Sequence, residues 1–308
     1  MITNIPEYED FENVSKECLI QALELFFRIY CNYKEYDDEN INEEVPLNEV
    51  WEHNKPTFRT SVILLHQGVE TYMKSVIVRN SPYLLLEQKR SDWPSLPKSK
   101  DVDYSTMYTY AGENLLNTFC TVTNGKLNSE KIKFIEDIRQ NRNKAIHGAG
   151  SMLNNPSTVI LDILKAYTYF FGKDQWFNDM KKWNQSNPLF GYYNWDFESI
   201  QSYKFLDFIE VTIGVKQLNF FFNFDLNGRR YFCPTCFYEI SSKGEQLKSK
   251  WAFLTPNKPS SKLLYCINCN FENEIKRVDC HIKDCMGNVM DVNGICLTCG
   301  KKTNENSI

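Results

Sequence analysis

The segment Ile138-Arg139-Gln140-Asn141-Arg142-Asn143-Lys144-Ala145-Ile146-His147-Gly148 closes a helical pattern and sets an arginine five positions before a histidine. Ile132, Ile135 and Ile138 recur at helical spacing, and the stripe continues through Arg142 to Ala145 and Ile146. Asn128 or Ser129 can cap the start of this helix. Gly148-Ala149-Gly150 stops it, because glycine accepts the left-handed conformation that ends helices. A guanidinium within an apolar stripe must be paired or face an interface. Asn143 and His147, four residues apart, share one helix face, and an imidazole exchanges protons near neutral pH. Arg142 and His147 are the candidate reactive pair.

Outward from this segment, the pattern stays helical. Leu19, Ala22, Leu23, Phe26, Phe27 and Tyr30 predict a helix from about Glu9 to Asn32, followed by an acidic loop from Tyr36 to Glu44. Val62, Leu65, Val69, Tyr72 and Val76 predict another from Thr57 to Val78. Glu70 lies beside that stripe, one turn from both His66 and Lys74. Ser91 to Asp103, with Pro94 and Pro97, reads as a loop, Gly112 to Val122 as a short helix, and Ser157 to Phe171 as an apolar packing helix. Residues 174–183 and Trp195 to Thr212 read as two further helices, with no convincing strand pair in this part of the chain. The expected body is an all-α helical bundle.

From Leu218 helical periodicity gives way to short apolar runs, turn residues and paired cysteines, which puts a boundary near Gly214. The expected organisation is a helical domain over 1–215, one metal-clamped ribbon over 216–272 and a second over 273–308. Cys233-Pro-Thr-Cys236 is answered by Cys266-Ile-Asn-Cys269, and Cys280 and Cys285 by Cys296-Leu-Thr-Cys299. Two cysteines separated by two residues place both sulfurs on one ion, and a second pair completes a tetrahedron. The pattern predicts two structural zinc ions in small β-rich ribbons, without the open position that catalysis needs. Sequential pairing is the simplest; nested pairing, and His281 in place of Cys280, stay open. Cys18, Cys31 and Cys120 stand alone in helical patterns and read as small buried hydrophobes.

Hydrophobic residues at 42% and aromatics at 14% exclude a disordered chain. The net charge of −4 gives no global nucleic-acid signal. From Lys216 onward the chain has a basic surplus, which thiolate ligation of two divalent ions would cancel. Lys248, Lys250, Lys258, Lys262, Lys276 and Arg277, interleaved with Trp251, Phe253 and Tyr265, suit phosphate pairing and base stacking. Equally, the aromatics can brace the ribbons while the lysines confer solubility. No apolar run is long enough to span a membrane, Met1 to Glu7 lack a signal-peptide pattern, and paired cysteines suit a reducing cytoplasm.

Arg142-Asn143-Lys144-Ala145-Ile146-His147 resembles the R-x4-H motif of HEPN (higher eukaryotes and prokaryotes nucleotide-binding) domains, in its Arg-Asn…His form. Gly68-Val69-Glu70-Thr71-Tyr72-Met73-Lys74 resembles the Glu- and Lys-bearing helix that packs beside that motif. The resemblance covers roughly residues 10–215; the ribbons lie outside it. It implies an all-α, HEPN-like bundle that forms a homodimer with two motifs facing each other. It also implies a metal-independent endoribonuclease of toxin or phage-defence type, acting on RNA, with an antitoxin or defence partner. His147 would be the general acid/base and Arg142 would hold the scissile phosphate. Asn143 would hydrogen-bond near it, and Glu70 would pair with Arg142 or tune His147. The alternative is a non-catalytic scaffold that binds nucleotide, nucleic acid or protein.

Overall fold

Small residues bring two long antiparallel helices into close contact. In α1 (Tyr8–Glu39) Leu19, Ala22, Leu23 and Phe26 are fully buried. They face α3 (Lys55–Asn80), whose buried side includes Ser61, Gly68 and Thr71 besides Phe58, Val62, Leu65 and Val69. Ser15 Oγ donates to the Gly68 carbonyl at 2.7 Å, and Ser61 Oγ to the Ala22 carbonyl at 2.9 Å. A β-carbon on Gly68 would stand 2.9 Å from Leu19 Cγ, so only glycine fits this crossing.

The computed structural model describes residues 1–39, 45–94, 100–124, 127–148, 155–186 and 197–303. Two compact units divide the chain, Met1–Asp179 and Met180–Ile308. No helix among the described residues is long and apolar enough to cross a membrane.

In the first unit α4 (Gly112–Val122), α5 (Ser129–His147) and α6 (Pro156–Phe171) also pack on α3. Asn128 caps α5 by accepting from the Lys131 N–H at 2.9 Å, and Asn155 caps α6 by accepting from Ser157. Tyr72 stacks on Phe170 with centroids 4.2 Å apart, which locks α3 to α6. Antiparallel α5 and α6 are tied by Tyr169 donating to Glu130 at 2.7 Å and by Lys165 over the Phe134 ring. Helix α7 (Gln175–Ser186) crosses the division between the units.

Three features depart from the sequence pattern. Helix α1 runs on to Glu39, into the expected loop, of which residues 40–44 lie outside the described ones. Helix α2 (Leu47–His53) has no buried stripe; it is held by Trp51 against Phe26 and Phe58. A short parallel pair, β1 (Ile2–Thr3) with β2 (Val102–Asp103), covers a small satellite core of Leu86, Tyr104 and Met107, although no strand pair was expected here. Ala149 and Gly150 of the helix stop, and residues 95–99 of the proline loop, lie outside the described residues.

The second unit contains α8 (Phe197–Ile213), α9 (Val215–Leu218) and α10 (Pro234–Ser241). Its antiparallel sheet has the order β3 (Arg230–Tyr231), β4 (Ala252–Thr255), β5 (Leu263–Cys266), β6 (Glu272–Glu274). The last part of the chain has only isolated bridges among the described residues, such as Lys276 with Met290 and Met290 with Cys296. The sequence pattern assigns α8 to the helical body, with a boundary near Gly214; the division at Asp179–Met180 instead groups it with the ribbons. The physical reason is a polar stripe on α8. Glu210 makes two hydrogen bonds to Arg230, at 2.6 and 2.7 Å, and Asp207 accepts from Trp251 Nε1 at 2.7 Å and from Ser249 Oγ.

Two substitutions test this packing. Gly68→Ala should destabilise the protein by about 1–3 kcal/mol through overpacking against Leu19, read as a lowered denaturation midpoint. Asp162, on α6, has its pKa raised from 3.8 to about 6 by burial, with Lys165 opposing and Asp137 adding to the rise. The folded state therefore keeps a proton that the unfolded state loses, and stability present below about pH 4 falls as pH rises through about 6. Asp162→Asn should remove that fall and raise stability at pH 7.5 by about 1–2 kcal/mol, while changing little at pH 4.

Candidate metal centres and the Arg–His helix

Each cysteine set is assembled by turns that its own sequence encodes. In Cys266-Ile-Asn-Cys269 the next residue, Asn270, adopts φ +58° and donates its N–H to the Cys266 carbonyl at 2.9 Å. In Cys296-Leu-Thr-Cys299 the next residue, Gly300, adopts φ +74° and donates to the Cys296 carbonyl at 2.7 Å. Asparagine and glycine are the residues that tolerate this left-handed position. The first pair is built differently: Cys233 precedes α10, and Phe237 N–H donates to the Cys233 carbonyl at 2.8 Å.

The pairing is sequential. Cys233, Cys236, Cys266 and Cys269 form one set and Cys280, Cys285, Cys296 and Cys299 the other, with all sulfurs of a set within 4.8 Å of one another. Cys233 and Cys269 are 3.7 Å apart, Cys285 and Cys296 3.8 Å, and Cys280 and Cys299 3.9 Å. Disulfides would need about 2.05 Å. A tetrahedron with metal–sulfur bonds of about 2.3 Å has edges of about 3.8 Å, so the spacing suits one four-coordinate ion per set. Contact with Cys236 and the other sulfurs holds the Cys233 thiol well above its ordinary range, whereas contact with Cys233 holds Cys269 below it. Four thiolates this close need a cation to ionise together. His281 is exposed and outside the second set. Gly287 is required there, since a β-carbon would stand 2.8 Å from Cys296 Sγ.

The interleaved aromatics are braces. Trp251 and Phe253 are buried and cannot stack on a base, and Tyr265 packs on Phe224 with centroids 5.1 Å apart. Lys250 lies over the Phe232 ring and donates to the Thr298 carbonyl at 2.6 Å, which ties the two ribbons together. Lys276 donates to the Val292 carbonyl at 3.3 Å. Lys248, Lys258 and Lys262 remain exposed. Cys18, Cys31 and Cys120 are half-buried, less enclosed than their helical settings imply.

On α5 the apolar stripe is buried at Phe134, Ile135 and Ile138 and then opens. Arg142 and Asn143 are half-buried, and Arg142 Nη1 donates to Asn143 Oδ1 at 3.0 Å. His147 is exposed as the last helical residue, beside Ile146, which is 44% exposed. The expected pairing of Glu70 with Arg142 is not formed: Glu70 binds Lys74 at 2.9 Å on its own helix and lies 3.9 Å from His66 Nδ1. No carboxylate among the described residues pairs with Arg142, whereas Arg139, one turn earlier, makes two hydrogen bonds to Glu136 at 2.7 and 2.9 Å.

Packing of α3 on α5 adds a residue that spacing alone does not select. His66, half-buried on α3, has its pKa lowered first by burial, with Arg142, Arg139 and Lys74 acting in the same direction and Glu70 opposing. A narrow cleft between α3, α5 and the start of α4 is lined by His66, Glu70, Glu136 and Arg139 over Val69 and Met73. Arg142, Asn143 and His147 follow the α5 wall of this cleft toward the helix end.

Family models, characterised proteins and solved structures give no match to this chain.

The cysteine geometry makes a direct prediction. In metal-replete protein the eight clustered cysteines should resist alkylation, and a strong chelator should expose them set by set, read by mass spectrometry. Cys18, Cys31 and Cys120 should alkylate at unchanged rates. Equal labelling of the eight thiols before and after chelation would refute metal ligation.

Proposed function

We propose that this protein is a metal-independent endoribonuclease in which α5 supplies Arg142, Asn143 and His147, with zinc in both four-cysteine sets as structural ions. The observation that carries this reading is the state of Arg142: a half-buried guanidinium, held by Asn143, with no carboxylate partner among the described residues and an exposed histidine at the end of its helix. A partly desolvated cation without a counter-charge suits an anionic substrate, and guanidinium matches two phosphate oxygens at once. The resemblance to the HEPN motif points the same way. Zinc suits the sulfur-only ligation, and four thiolates leave it no open position for substrate or water.

In the proposed reaction an imidazole takes the proton from an RNA 2′-hydroxyl. The resulting oxygen attacks the adjacent phosphorus, and the bond to the 5′-oxygen breaks. That oxygen leaves as an alcohol after receiving a proton, and a 2′,3′-cyclic phosphate remains on the other fragment. His147 moves the proton, Arg142 stabilises charge on the non-bridging oxygens, and Asn143 holds the guanidinium in orientation. Glu70, committed to Lys74 and His66, acts on the electrostatics of the helix pair rather than on the phosphate. One histidine cannot at once accept and donate, so a second copy of the chain, meeting the first around exposed Ile146 and His147, would complete the acid–base pair. The ribbons position RNA or a protein partner, an antitoxin or defence component, through exposed Lys248, Lys258 and Lys262, and thiolate ligation suits a reducing cytoplasm.

Purified protein incubated with single-stranded RNA in buffer without added metal should produce fragments ending in cyclic phosphate. Arg142→Ala and His147→Ala should each lower the rate by about 100-fold or more. Light scattering should give a dimer at micromolar concentration. RNA left equally intact by wild type and both variants would overturn the enzyme reading and leave the binding scaffold.

A further inference from the structure

We propose that Tyr203 of α8 is a positioning residue of the first metal centre, donating its phenol O–H to the Cys266 thiolate and holding the ion against exchange. The proposal rests on the metal reading of the cysteine sets and goes beyond it, because α8 lies outside both ribbon patterns in the sequence.

Tyr203 is 2% exposed, and its hydroxyl oxygen is 3.5 Å from Cys266 Sγ. A metal-bound thiolate has no proton, so the phenol is the donor. The tyrosine is not there by loose packing. Residues 203, 207 and 210 recur at four and three positions, which puts Tyr203, Asp207 and Glu210 on one face of α8. Asp207 is held by Trp251 and Ser249, and Glu210 by Arg230, whose guanidinium lies 4.0 Å over the Trp251 ring. These bonds fix the face that presents the phenol to the sulfur.

Two further side chains approach the same centre. Asn273 Nδ2 is 3.6 Å from Cys233 Sγ, and its orientation is set by Thr235 Oγ1 donating to Asn273 Oδ1 at 2.8 Å. Asn268 Nδ2 is 3.9 Å from Cys236 Sγ. Three of the four sulfurs in the first set thus face a side-chain donor. Among the described residues no side-chain N–H or O–H other than a thiol's donates to a sulfur of the second set, and three of its cysteines are half-exposed. Four thiolates around a divalent ion carry a net double negative charge. Donors that draw on that charge lower the tendency of a sulfur to leave the ion for a proton or a competing electrophile. The first centre is accordingly the retained one and the second the exchangeable one.

The test is Tyr203→Phe, which keeps the ring and removes the donor. Zinc-loaded wild type and variant are challenged with a chelator, released zinc is followed by colour, and alkylation with mass spectrometry assigns each loss to Cys233, Cys236, Cys266 and Cys269 or to the second set. The first set should lose protection about tenfold faster or more in the variant, with the second set unchanged. In cobalt-loaded protein the thiolate-to-metal charge-transfer band should move to lower energy in Tyr203→Phe, a change that loss of packing alone would not produce. Equal release rates and an unmoved band would overturn the role of Tyr203. If the variant does not fold, wild type loaded with cadmium-113 decides: the Tyr203 hydroxyl proton should give a slowly exchanging resonance coupled to the metal, and its absence overturns the proposal. Wild type that binds neither zinc nor cobalt would instead refute the metal reading itself.

Discussion

Helix α3 is packed on by α1, α2, α4, α5 and α6, and on the faces these helices cover its polar side chains have little access to water. Its polar groups are therefore satisfied close to home. Thr71 donates back to the Gln67 carbonyl, Ser75 to the Tyr72 carbonyl, and Glu70 takes Lys74 one turn on. Burial makes each such partner obligatory, since an unpaired buried charge costs far more than a neutral contact gains. This explains why Glu70 does not cross to α5. With Glu70 already neutralised, Arg142 has to find another partner, and its own neighbour Asn143 supplies an uncharged one. An amide fixes the direction of a guanidinium without cancelling its charge.

In the second unit the corresponding constraint is the density of thiols. Eight sulfurs gather in two groups, each of which could hold a metal ion and so add to what a small ribbon's packing supplies. The sheet strands are short, and the last part of the chain has only isolated bridges among the described residues, so an ion in each set would supply cross-links that the strands do not. The first set is itself well enclosed, with Cys233, Cys236 and Cys266 buried and Tyr203 of α8 beside Cys266. The second set is linked to it by Lys250 and by Tyr238, which donates to Asp291. Enclosure and side-chain donors go together at the first set, and both are weaker at the second.

Local signals were legible and long-range ones were not. The limits of α4, a cap at the start of α5 and the closely spaced cysteine pairs follow from residues close in sequence, where periodicity, capping chemistry and turn geometry act directly, while the choice of sequential over nested pairing needed the fold. Helix α2 escaped because it has no buried stripe; one tryptophan, between Phe26 and Phe58, holds it. The β1–β2 pair joins segments about a hundred residues apart and is too short to show alternation. The membership of α8 was hidden for a related reason: an apolar period announces a buried helix but not which core receives it. The sign lay in Tyr203, Asp207 and Glu210, three polar residues on one face of the helix, whose partners Cys266, Trp251 and Arg230 all lie in the ribbon. At the candidate site, Arg142 and Asn143 were readable because they are adjacent, while the partner of Glu70 and the influence of Arg142 on His66 depend on how α3 meets α5.

Two arginines one turn apart on α5 are treated in opposite ways. Arg139, beside the cleft with His66 and Glu70, is closed off by two hydrogen bonds to Glu136. Arg142, further along, is held by an amide and keeps its charge, close to a helix end that leaves Ile146 and His147 in solvent. A structural role would be served by repeating the Arg139 solution, since a carboxylate at the equivalent spacing would offset the cost of partial burial. The position three residues before Arg142 is Arg139 itself, and Ile138, Ala145 and Ile146 fill the other places within one turn, so α5 offers Arg142 no carboxylate; Lys144 and exposed Ile146 add positive charge and apolar surface nearby. Positive charge, one exposed isoleucine and an imidazole thus stand within one and a half turns at an open helix end. That arrangement leaves room for an anion beside a guanidinium that no carboxylate among the described residues has cancelled, and it is on this opening that the proposed paired site rests.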